Sequence, residues 1–175
     1  MPVVSSRTTT VTSHSTGTAV HAISFRGLAG GIFFCIAIAL VLYVVGFSTT
    51  AWIVTRYDDE GLWERCRCDL NGRDDGWFRA TQAMICIGLL GLIISLICIF
   101  IYMCVHSVSK NQTLLALTIV CFITVAFMAI GFVVFGANVK SNVSWSFVLC
   151  VVGGIFTLIA GILSAVQMRQ SGVSV

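Results

Sequence analysis

Four stretches of this chain carry no formal charge, and they decide what it can become: Gly27 to Thr55, Ala80 to Ser109, Asn111 to Val139 and Ser141 to Met168. Each exceeds the roughly 20 residues that an α-helix needs to cross about 30 Å of hydrocarbon. In lipid, only helices and closed barrels satisfy every backbone N–H and C=O. Lipid-facing barrel strands alternate apolar and polar side chains, whereas these runs are apolar throughout. The fold class they predict is all-α membrane, a bundle of four transmembrane helices. Composition agrees, since 58% of the 175 residues are hydrophobic and 10% are charged, against about a quarter charged in soluble domains. Mean hydropathy is +1.00.

The expected organisation is a tail over residues 1–26, spans at 27–50, 80–105, 114–137 and 145–166, a first loop over 51–79, short loops over 106–113 and 138–144, and a second tail over 167–175. Residues 1–25 are rich in Ser and Thr and read as a mobile tail. They lack the short apolar core of a secretory signal, so the first span is expected to be its own insertion signal. An even number of crossings places both termini on one side. Lys and Arg do not decide which side, with Arg7, Arg26, Lys110 and Arg169 at the terminal end and the other six at the loop end. Two other cues favour cytoplasmic termini at the plasma membrane. All seven acidic residues lie between Asp58 and Asp75, in the first loop, and that loop holds Cys66 and Cys68, which suit an oxidising compartment. The net charge of +3 is dispersed and forms no basic groove, so nucleic acid is not an expected partner.

Within the first loop, Trp52 to Tyr57 is rich in β-branched and aromatic residues, Asp58-Asp59-Glu60-Gly61 reads as a turn, and Leu62 to Asp69 resumes an extended pattern. Asn71-Gly72 adds a hairpin signal. A small extracellular antiparallel β-sheet is therefore expected above the helices. Trp63, Arg65 and Arg67 would share one of its faces, and Leu62, Glu64, Cys66 and Cys68 the other.

Trp52, then Gly61-Leu62-Trp63, then Cys66 and Cys68, placed directly after the first of four spans, resemble the signature of the claudin superfamily. That superfamily includes claudins, peripheral myelin protein, the epithelial membrane proteins and the lens fibre membrane intrinsic protein. Trp77 to Met84 resembles the entry to the second span in the myelin and lens branch, and Trp145-Ser146-Phe147 with Ala160-Gly161-Ile162 resembles the fourth span. The chain departs from claudins in three ways. Only Arg67 separates its two cysteines, its first loop is shorter, and Gln82 stands where claudins resemble one another in an Arg, with Arg79 one turn earlier. The resemblance implies a disulfide between Cys66 and Cys68. Two residues apart on a strand, their Cα atoms would lie roughly 6.8 Å apart, at the outer limit for a bridge, so a strained bridge, an intermolecular bond, a metal site and free thiols all stay open.

Trp52 and Trp63 are expected to anchor the sheet at the membrane surface, and the loop acids Asp58, Asp59, Asp74 and Asp75 to be solvated. Gly153, Thr157, Gly161 and Ala165 recur at four-residue spacing in the fourth span, and Gly27 and Gly31 do so in the first. Small residues at that spacing let helix backbones approach where lipid supplies no drive to pack, so both sets are expected to pack within the bundle, with self-association between neighbouring molecules as the alternative. Cys104, beside His106 at the end of span two, is a candidate for S-acylation, and with no orienting carboxylate the pair does not read as catalytic. The remaining cysteines of the spans read as small core residues. Asn142-Val143-Ser144 is a glycosylation sequon in the second loop, and Asn111-Gln112-Thr113 is a second one that this topology leaves in the cytoplasm. Val173-Ser174-Val175 has the form of a PDZ ligand.

These features predict a structural or interacting protein, with neither enzymatic activity nor a cofactor. One expectation is a claudin-like tetraspan of cell–cell junctions. It would act in adhesion, paracellular barrier or membrane organisation and contact membrane lipid, other copies of itself in cis and in trans, and a PDZ scaffold. The alternative is an auxiliary subunit that regulates the trafficking or gating of an ion channel or receptor. Transporter chemistry is disfavoured because the spans hold no Asp, Glu, Lys or Arg at membrane depth.

Overall fold

The computed structural model describes residues 16–49, 52–54, 59–60, 62–63, 76–104, 109–139 and 143–170, with side chains described from Gly27 onward and outside the two short strands. Four helices account for nearly all of this: α1 (Thr16–Ser48), α2 (Gly76–Cys104), α3 (Lys110–Asn138) and α4 (Trp145–Gln170). Each contains a segment long and apolar enough to cross a membrane, beginning in α1 at Gly27. Two short strands, β1 (Ile53–Val54) and β2 (Asp59–Glu60), pair antiparallel with Ile53 opposite Glu60 and Val54 opposite Asp59.

α1 packs most closely on α4 and α2 on α3, the α3–α4 seam is looser, and α1–α2 is the loosest. The helices therefore form a ring in chain order, closed by α4 against α1. The inward stripes follow alternating steps of three and four residues: Ala29, Ile32, Ile36, Ala39, Tyr43 and Gly46 on α1, and Thr81, Ile85, Gly88, Leu92, Ser95, Ile99 and Tyr102 on α2. A mean step near 3.5 residues is the seam of left-handed helix packing. The buried residues form two clusters. One, toward the terminal end, includes Ile32, Ile36, Ile99, Leu117 and Cys121. The other, toward the loop end, includes Tyr43, Trp52, Leu62, Leu92, Met128 and Phe135. Along α2, α3 and α4 the small polar residues Ser95, Thr124 and Thr157 fall between them. Ser95 and Thr157 return their hydroxyls to Gly91 O and Gly153 O, both at 2.8 Å, so these two hydroxyls are satisfied within their own helices.

Several expectations change. α1 is helical from Thr16, so residues 16–25 are not a coil tail. α2 begins at Gly76 and α4 runs to Gln170, because charges such as Arg79 and Arg169 stop a run at membrane depth and not a helix. Asp59 and Glu60 stand in β2 and not in a turn, since the register of Val54 on Asp59 leaves residues 55–58 as the connection. Leu62 and Trp63 lie in a bend and not in an extended strand. Glu64 to Asp69 and Asn71-Gly72 fall outside the described residues.

Among the described residues, Gly27 and Gly31 mark no close helix approach. No described atom lies within 4 Å of where a Cβ on either would stand. The close approach on α1 is at Gly46, where a Cβ would lie 2.6 Å from both Cys150 Sγ and Ser146 O of α4. On α4, Gly153, Thr157 and Gly161 are buried, while Ala165 is half-buried. A Cβ on Gly153 would sit 3.1 Å from Ala39 O of α1, and one on Gly161 would sit 3.2 Å from Cys121 Cβ of α3. The two glycines thus serve different neighbours.

Candidate functional site at the loop-bearing end of the bundle

A helix ends with carbonyls that have no partner in their own ladder. At the end of α1 three consecutive ones find partners just beyond the helix. Val45 O accepts from the Thr49 N–H at 3.2 Å and from Thr49 Oγ1 at 2.9 Å. Gly46 O accepts from Trp52 Nε1 at 2.7 Å, and Phe47 O from Trp63 Nε1 at 3.1 Å. Both tryptophans of the first loop are therefore C-terminal caps of α1. An indole N–H donates without accepting, so each ring can pack on apolar neighbours while its one polar atom is satisfied.

The two rings are used differently. Trp52 is 1% exposed and sits edge-on to Phe135 of α3, with centroids 5.1 Å apart, and to Phe147 of α4, at 5.7 Å. Phe135 and Phe147 stack on each other at 5.1 Å, so one aromatic cluster ties α3, α4 and the loop together. Its carbonyl accepts from the Ser144 N–H at 3.1 Å, which couples the first loop to the second. Below it, the Thr49 and Ser146 hydroxyl oxygens lie within hydrogen-bond distance, 2.8 Å apart. Trp63 is 54% exposed and rests edge-on against Phe47 at 5.0 Å. Between them Leu62 is buried among the core residues, and its carbonyl accepts from Gln82 Nε2 of α2 at 2.7 Å.

Both chain termini of the described bundle lie at the opposite end from these contacts. A profile described as tight junction protein, claudin-like, matches residues 23–173, a range that includes all four apolar segments. The chain belongs to the claudin-like family. Comparison with curated proteins gives no match.

In this claudin-like chain, three of the six signature residues are described, Trp52, Leu62 and Trp63, and the fold brings them together over the ends of α1 and α2. Gly61, Cys66 and Cys68 lie outside the described residues, as do Asn142 and Val173 to Val175. The cysteines that are described, Cys35, Cys86, Cys98, Cys104, Cys121 and Cys150, are free thiols. Cys104 is exposed at the last position of α2. Cys121 and Cys150 are buried in helix contacts, with Sγ 3.7 Å from Ser95 Oγ and 3.8 Å from Tyr43 O. Among the described residues no three His, Cys, Asp or Glu side chains gather as a metal site.

Sequence reasoning placed Trp52 at the membrane surface and missed that it plugs the bundle. It also missed Gly46, Phe135, Phe147 and the bond made by Gln82. Gly46 carries a signal, being the one small residue in Tyr43-Val44-Val45-Gly46-Phe47. Phe147 was legible only as part of the family-like Trp145-Ser146-Phe147, and neither phenylalanine's local sequence names its ring partners.

Proposed function

We propose that this claudin-like protein works at borders between cells, with both termini cytoplasmic and its loops outside, in adhesion, paracellular barrier or membrane organisation. The observation that carries this reading is the fastening of the first loop, whose two tryptophans cap α1 and whose Leu62 is buried in the core. Fastening at these points fixes Trp52, Leu62 and Trp63 over the end of the bundle, and recognition of a neighbouring molecule gains from such preorganisation. The reading is of a structural protein, not a catalyst. Contacts with further copies, a PDZ scaffold at Val173-Ser174-Val175, S-acylation at Cys104, a bridge between Cys66 and Cys68 and a glycan at Asn142 are its secondary proposals.

Expression in otherwise non-adherent cells tests it. Clustering of cells, enrichment of the protein at their contacts and a rise in electrical resistance across a layer are the expected results. Even distribution over the surface with neither adhesion nor resistance altered contradicts the reading.

A second reading, an auxiliary subunit of an ion channel or receptor, is favoured by Gln82. This neutral amide stands where claudins resemble one another in a cation, and its amide is engaged with Leu62 O, which argues against a claudin-type charged path. Co-purification of a channel with the full chain, without any change in adhesion, would favour it.

A further inference from the structure

We propose that the bond between Tyr102 and Gln167 is a latch at the terminal end of the bundle, holding the α1–α4 pair of helices against the α2–α3 pair, and that its release shifts the Trp52 ring at the opposite end. The closest packing in the ring is within those two pairs. Gly46 and Gly153 bring α1 and α4 together, while a Cβ on Gly88 would lie 2.8 Å from Met128 Cγ of α3 and one on Gly131 would lie 3.2 Å from Ile85 Cγ1 of α2. Between the pairs the packing is looser, and in the terminal half directional bonds cross it. Gln167 Nε2 of α4 donates to Tyr102 Oη of α2 at 2.8 Å, between helices that stand diagonally in the ring. One turn deeper, the Thr118 and Ser164 hydroxyls of α3 and α4 are 2.8 Å apart. Gln167 and Ser164 are fully buried, and Tyr102 nearly so.

The α3–α4 seam runs from this end to the loop end in regular steps, with Ser164 on Thr118, Gly161 on Cys121, Gly154 on Phe132 and Phe147 on Phe135. The middle steps are made by glycines, where a Cβ would stand 3.2 Å from Cys121 Cβ and 3.3 Å from Phe132 Cε2. Closely packed helices transmit displacement as bodies, and two bodies that touch at mid-seam turn about that point. At the far end of the same seam Trp52 lies edge-on to Phe135 of α3 and to Phe147 of α4. Its ring is therefore wedged between one pair and the other, about 30 Å along α4 from Gln167 by the rise of an α-helix. A hydrogen bond between membrane helices is modest in strength, so this one selects an arrangement without locking it. Gln167 belongs to the last turn of α4. A rotation of that turn acts on the latch first, which gives the terminal side of the membrane a handle on the loop end.

The test uses the purified full chain in lipid nanodiscs, with fluorinated tryptophan in place of tryptophan and fluorine NMR as the readout. The four tryptophans, Trp52, Trp63, Trp77 and Trp145, all lie toward the loop end, and each line is assigned by replacing its residue with Phe. Tyr102→Phe keeps the ring and removes the hydroxyl, and Gln167→Met keeps the length of the side chain and removes the amide. The expected result is that the Trp52 line shifts or splits in both variants, while the line of Trp145, exposed at the start of α4, stays in place. Ile32→Val trims the same terminal cluster and leaves the bond intact. It should lower the melting temperature without moving the Trp52 line. If Tyr102→Phe recovers poorly, Gln167→Met carries the comparison. A wild-type Trp52 line in the recovered latch variants, or a Trp52 shift as large in Ile32→Val, overturns the latch.

Discussion

Trp52 concentrates more of the architecture than any other single residue at the loop end, because its ring, its indole N–H and its carbonyl each bind a different partner. Replacing it by Ala removes a fully buried aromatic and should destabilise the bundle by about 3–5 kcal/mol. Trp52→Phe keeps an aromatic ring but leaves Gly46 O without its donor, at a cost of about 1–3 kcal/mol. Trp63→Phe should cost less than about 1 kcal/mol, since water reaches Phe47 O at the exposed edge. Thermal unfolding in one detergent, followed by size-exclusion recovery, orders the three. Gly46 supplies a second residue-scale prediction. A methyl there meets Cys150 and Ser146 at 2.6 Å, so Gly46→Ala should destabilise by about 1–3 kcal/mol through overpacking. Gly27→Ala and Gly31→Ala meet no described atom and should be neutral or stabilising by up to about 1 kcal/mol, because alanine is the better helix former. If Gly27→Ala were the more damaging change, the placement of the close contact on α1 would be wrong.

At the scale of elements, the number and type of helices were legible because charge is expensive at membrane depth, and that cost leaves gaps anyone can count. Helix ends were not legible, because outside the hydrocarbon a helix tolerates Arg79, Lys110 and Arg169 as readily as any residue. The inward faces were legible only in part. Bundles in water mark their cores by apolar stripes, but here the outward faces are apolar too, with Phe34 and Val133 among the most exposed side chains. The remaining signal is small or hydroxylated residues at steps of three and four. Gly153, Thr157 and Gly161 show that spacing at buried positions, whereas at Gly27 and Gly31 the same spacing meets no described atom. The Thr118 and Ser164 hydroxyls, 2.8 Å apart between α3 and α4, belong to the same stripe. A double-mutant cycle with Thr118→Val and Ser164→Ala should give a coupling of about 0.6 kcal/mol, the usual size between membrane helices. A coupling near zero would show that each hydroxyl is satisfied by Leu114 O alone. The loop was the least legible element. Its register depends on caps to α1 and on Gln82, contacts between residues distant in sequence that no local pattern encodes.

The whole molecule is a ring of four apolar helices closed at one end by the residues that mark its family. Its charges are divided accordingly. All seven acids stand between Asp58 and Asp75, in the segment joining α1 to α2, and none at the terminal end. The account requires that segment to face outward, since a surface that meets another cell must be on the far side of the membrane from the termini. The most direct measurement is protease mapping in living cells, with a cleavage site inserted between residues 69 and 74 and epitopes on both termini. The account predicts that protease added outside intact cells divides the chain into an α1 fragment and an α2–α4 fragment. Both epitopes should become reachable by antibody only after permeabilisation. A loop protected in intact cells, or a terminal epitope exposed at their surface, would contradict it.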